Sequence, residues 1–130
     1  MQIVNPKALG KAQGYSNGIL LDAGRTLFVA GQIGWTSEQK LVGSDLASQF
    51  AQALRNVMTV VTEAGGTAKH IGRLTIYVTD KRAYTAARKE IGNAYREIME
   101  GHFPAMALLE IQDLLEEGAL VEIEATAVLP

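Results

Sequence analysis

The chain has 130 residues, 48% of them hydrophobic and 20% charged, with 12 basic against 14 acidic side chains, net charge −2 and no cysteine. This predicts one domain spanning residues 1–130, able to bury a core without staples, and excludes disulfides, thiolate metal sites and a cysteine nucleophile. Neither charge sign forms the stripe of a dedicated nucleic-acid binder, and no run approaches the roughly 18 apolar residues of a membrane span.

The first residues, MQIVNPKALGKAQG, lack the continuous apolar centre of a signal peptide, so the expectation is a soluble cytoplasmic domain. Residues 18–21 (GILL) and 26–29 (TLFV) are short apolar runs flanking DAGR, a turn signal, and predict a β-hairpin continued by QIGW. Ser44 or Asp45 then caps a helix whose apolar face is Leu46, Phe50, Ala53, Leu54, Val57 and Val61, at steps of three and four. Gly65 and Gly66 end it, because glycine accepts the left-handed conformation. Residues 71–78 (IGRLTIYV) read as a strand rich in β-branched and aromatic side chains.

A second helix is predicted over residues 80–100, with the stripe Tyr84, Ala87, Ile91, Ala94, Tyr95 and Ile98 and a stop at Gly101 and Pro104. Two strands, MALLEI and ALVEIEATAV, close the chain around QDLLEEG. The order β-β-α-β-α-β-β predicts an α+β fold with a mixed sheet and two helices packed on one face. In the last strand Val121, Ile123, Ala125 and Ala127 share one face and Glu122, Glu124, Thr126 and Val128 the other. No helix remains to cover that second, partly apolar face, which predicts a homo-oligomer using it.

Arg88 lies four residues after Tyr84 and three before Ile91, bordering an apolar stripe. It is either a snorkelling or ion-paired arginine, or an anion-binding one, since guanidinium matches carboxylate geometry bidentately. Glu122 and Glu124 share a strand face and either divide acid and base roles or pair with cationic side chains. His70 and His102 lack partners at ligand spacing, so no metal site is expected. No phosphate-cradling loop, nucleophile elbow or base-stacking platform is present.

VAGQIG (29–34), EAGGT (63–67), RLTIYVTD (73–80), HFPA (102–105) and VEIEATAV (121–128) occur in order and together resemble the YjgF/RidA family, from about Tyr15 to Val128. The resemblance implies a chorismate-mutase-like fold, a homotrimer with its sheets forming a central barrel, and sites in clefts between subunits. It implies hydrolysis of enamine and imine intermediates to ammonia and 2-oxo acids without a cofactor, on small carboxylate-bearing metabolites. A non-catalytic metabolite binder is the alternative, and a translation inhibitor or ribonuclease acting on nucleic acid the third. By the same resemblance Tyr15 is the cleft tyrosine, Gly31 the backbone position near the ligand and Glu122 the glutamate of the catalytic water. The arginine that grips the substrate carboxylate in the family follows the Phe-Pro-Ala turn; here that position is Met106. A thioether cannot hold a carboxylate by charge, so the expectation moves the grip to Arg88 and to a different or larger acidic substrate.

Overall fold

The computed structural model describes all 130 residues. Its strands are β1 (Gln2–Val4), β2 (Gly18–Leu20), β3 (Arg25–Ile33), β4 (Ile71–Val78), β5 (Ala105–Glu110) and β6 (Val121–Leu129). Its helices are α1 (Leu46–Glu63), α2 (Lys81–Ala86) and α3 (Arg88–Ile98). The main sheet runs β3-β6-β4-β5, with β4 and β5 parallel and the other pairs antiparallel. This is the mixed α+β architecture that the element order implies.

Helix α1 forms because its predicted stripe is continuous. Phe50, Leu54, Val57 and Val61 are fully buried against Leu74, Ile76, Val121 and Ile123 of the sheet. Asp45 is the cap: its carboxylate accepts the Ser48 N–H at 2.9 Å. That hydrogen bond holds its pKa below the ordinary 3.8. A depressed carboxylate stabilises the fold above its unfolded pKa and loses that contribution as pH falls through the folded value. Asp45→Ala is therefore expected to lower the melting temperature by a few degrees at pH 7, with the difference from the parent shrinking below about pH 4; thermal melts at both pH values check it.

At the other end Gly65, with φ +91°, lets the chain turn so that Gly66 N–H bonds back to the Val61 carbonyl at 2.9 Å. That is the six-to-one closure of a Schellman turn. Strand β6 alternates without exception, its odd positions buried under the helices and its even ones half-exposed.

Two expectations are corrected. The second helix is not continuous: Ala87, at φ −95° and ψ 8°, separates α2 from α3, so three helices rather than two cover the sheet. The GILL/TLFV hairpin does not form either. Strand β2 pairs with β1 in a separate two-stranded sheet, Ile3 opposite Ile19. The arm then docks at the β5 edge, where Ser16 bridges Ala105 and its N–H donates to the Pro104 carbonyl at 3.1 Å. Residues 21–24 cross the end of the sheet, Leu21 against Gly72 and Gly24 against the Leu129 carbonyl. The DAGR composition encodes a bend, but a three-residue strand forms too few ladder bonds to dictate which edge it joins. The far edge of β3 is left open, and Phe28 on the uncovered sheet face is 79% exposed.

Candidate functional site

A cavity of about 330 Å³ opens between α2, α3, β5 and the N-terminal arm, lined by Tyr15, Tyr84, Arg88, Tyr95, Met106 and Leu108 among others. Three of the sequence-predicted residues thus meet in one place. Tyr15 comes from the arm that Ser16 anchors to β5. Met106 and Leu108 alternate along β5 toward the helices, where both pack on the core. Arg88 opens α3 at the cavity rim and is solvent-exposed. It has no ion-pair partner in the chain, the single salt bridge being the N-terminal amine with Asp22 at 3.1 Å.

Two phenols of the cavity wall, Tyr84 and Tyr95, are held neutral. Burial raises the Tyr84 pKa, against the opposing positive charge of Arg88. Burial raises Tyr95 much further, with the nearby Tyr84 adding to it. The Tyr95 ring stacks on Phe103, centroids 5.4 Å apart and planes 18° apart. This wall therefore offers aromatic surface, neutral hydroxyl groups and positive charge at the rim, which suits a carboxylate with an apolar body.

Gly31 and Glu122 meet elsewhere, on the sheet face that no helix covers. The β3–β6 register slips between Val29 and Gln32, and a Cβ at position 31 would lie 2.6 Å from the Glu122 carboxyl carbon. Glycine is required there so that the carboxylate can lie across the strand. The Glu122 carboxylate makes no hydrogen bond within the chain, whereas that of its neighbour Glu124 accepts the Tyr77 hydroxyl at 2.9 Å. That hydrogen bond is the main cause of the raised Tyr77 pKa. So Glu124 is committed to a structural partner, and Glu122 retains free acceptor capacity.

The two histidines are occupied by backbone. His102, buried, places Nε2 2.8 Å from the Ile71 carbonyl, and His70 Nδ1 accepts the Thr67 N–H at 2.9 Å. No group of three His, Cys, Asp or Glu side chains is placed to hold a metal ion. Gly92 and Arg96, which follow Arg88 at helical steps of four, line the same wall, although Arg96 reads from the sequence as a solvent-facing side chain. A glycine inside an amphipathic helix is the one sequence signal of Gly92.

The sequence model of the Endoribonuclease L-PSP family matches residues 5–129. The chain belongs to this family, the YjgF/RidA group. It is 30% identical to human 2-iminobutanoate/2-iminopropanoate deaminase over 127 residues, 97% of this chain and 88% of that protein. Among solved structures, the Rid-family protein YyfB of Yersinia pestis superposes with a TM-score of 0.89 at 34% identity, covering 98% of each chain. The YjgF gene product of E. coli gives a TM-score of 0.71 at 30% identity over 95% of this chain and 92% of its own. The family match thus runs along nearly the whole chain.

Proposed function

We propose that this family member hydrolyses reactive enamine or imine intermediates to 2-oxo acids and ammonia, with a specificity displaced toward larger carboxylates. The observation that carries the reading is the convergence of Tyr15, Arg88 and Met106 on one cavity in a chain 30% identical to a named imine deaminase. The reaction adds water across C=N: the water oxygen bonds to the imine carbon, its protons pass to nitrogen, and the C–N bond breaks to release ammonia. Glu122 takes the water's proton, for which it has free lone pairs, and Arg88 at the cavity rim holds the substrate carboxylate.

Within one chain the two halves lie on opposite faces of the sheet. The reaction therefore requires that Gly31 and Glu122 of one subunit complete the cavity of the next, as a homotrimer packed through the uncovered sheet faces would allow. The exposed Phe28 and Leu109 support burial of that face. Sedimentation analysis is expected to give a trimer; a monomer at micromolar concentration would end the composite-site reading. A non-catalytic binder is the second reading, favoured by Met106 where the family keeps its carboxylate-gripping arginine. The histidines' engagement with backbone argues against ribonuclease chemistry by a histidine pair.

Ammonia release measured over imines formed in situ from a panel of amino acids separates the first two readings. Turnover of at least one bulky imine is expected, and a flat response alongside intact ligand-induced thermal shifts would leave the binder. Arg88→Ala is expected to weaken carboxylate binding about tenfold, from loss of a charge-assisted, solvent-exposed contact. Loss of the trimer with unchanged carboxylate affinity would instead identify Arg88 as an intersubunit ion-pair residue.

A further inference from the structure

The Tyr95 hydroxyl is the one buried side-chain polar atom in the chain without a hydrogen-bond partner. Tyr95 is 6% exposed and belongs to the wall of the cavity that Arg88 rims. Native proteins satisfy nearly all such groups, so an orphan in a cavity wall calls for a partner from outside the chain. The surrounding walls are aromatic, with Phe50 and Tyr84 6.4 Å apart between centroids and Phe103 stacked on Tyr95 itself. Met106 and Leu108 line the β5 side and bring no charge.

The rim shows the complementary feature. Arg88, Gly92 and Arg96 fall on one face of α3 at steps of four. A Cβ on Gly92 would lie 3.4 Å from the Arg96 guanidinium, which folds back along the helix and donates to Asn93 Oδ1 at 2.8 Å. Glycine weakens a helix interior, and here it leaves a notch between two positive charges at the cavity mouth. Arg96 is held by Asn93, while Arg88 has no partner, so Arg88 is the arginine free to take a carboxylate.

We propose that the cavity selects aryl 2-oxo or 2-imino acids bearing a hydroxyl at the far end of the ring, the carboxylate on Arg88 and the ring hydroxyl on Tyr95 Oη. The carboxylate end rests on the proposed function above; the hydroxyl end does not. Tyr95 Oη is closed to water, so a ligand reaches it by displacing part of the wall. Tyr84, only half-buried, lines the same cavity as Tyr95 and forms part of that wall. A hydroxyl already stripped of water gives up no hydration when it bonds to ligand, which favours a ligand that can reach it.

The test is calorimetric binding of 3-(4-hydroxyphenyl)propanoate, 3-phenylpropanoate and pyruvate to the intact protein. The hydroxylated acid is expected to bind about five- to tenfold more tightly than its phenyl analogue, and pyruvate more weakly than either. Tyr95→Phe is expected to abolish the difference between the aryl acids while leaving the melting temperature unchanged or higher, since it removes only an unbonded hydroxyl. Arg88→Ala is expected to weaken both aryl acids equally. Equal affinities in the parent, a preference that survives Tyr95→Phe, or no aryl binding would each overturn the proposal. Because binding is read without turnover, failure of ammonia release leaves this result standing, and the reverse holds too.

Discussion

Gln49→Leu is expected to destabilise the fold by about 3–5 kcal/mol, lowering the melting temperature by roughly 10–20 °C at fixed protein concentration. Gln49 is 0% exposed on the second turn of α1, in a stripe otherwise apolar. Its amide nitrogen donates to the Gly43 carbonyl at 2.8 Å and the Gly118 carbonyl at 3.0 Å, and its oxygen accepts the Leu120 N–H at 2.8 Å. One side chain thus ties the loop before α1 to the loop before β6. Leucine fits the volume but strands three backbone groups, each costing about 1–3 kcal/mol when buried and unbonded. Partial rehydration of the two loops keeps the total below the sum. Gly34, whose Cβ would lie 2.5 Å from the Gln49 carbonyl oxygen, leaves little room for the helix to shift and compensate. A drop of less than about 4 °C in a thermal melt would mean the loops hold themselves without Gln49.

Glu122→Gln is expected to lower kcat for imine hydrolysis by 10²–10³-fold, roughly the range of a lost general base, with little change in the affinity for 2-oxo acid products. Glutamine keeps the shape of the side chain and one acceptor oxygen but cannot accept the water's proton. The split follows from geometry, because Glu122 lies on the uncovered sheet face and Arg88 at the rim of the cavity under the helices. Gly31→Ala provides the matching test: a methyl 2.6 Å from the Glu122 carboxyl carbon must push that group from its place across the strand. It too is expected to depress kcat more than binding. If Glu122→Gln retained a third or more of the activity, the base would have to be sought elsewhere.

These residues differ in how far the sequence announced them. Glu122 and Gly31 came from the ordered motifs of the family resemblance, and the alternation of β6 already put Glu122 opposite the core. Arg88 stands out in the sequence by its place beside an apolar stripe, which α3 realises at the cavity rim. Gln49 was invisible, because a polar residue amid an apolar helical series reads as surface until the loops around it are placed. The helical spacing places Tyr95 in the core stripe, which is correct for its ring; that its hydroxyl has no partner is a property of the packed wall.

The sequence by itself determined what short-range physics controls: the α1 stripe with a cap at Ser44 or Asp45 and a stop at Gly65 and Gly66, the two faces of β6, and an α+β order of elements. Periodicity and capping depend on residues within a turn or two, so they survive reading in one dimension. The tertiary structure decided the pairings between distant segments. The N-terminal arm joined the β5 edge rather than β3, the second helix broke at Ala87, and five candidate residues separated onto two faces of one sheet. Each of those outcomes is a competition among edges and surfaces far apart in the chain. Local pattern carries no information about which of them wins.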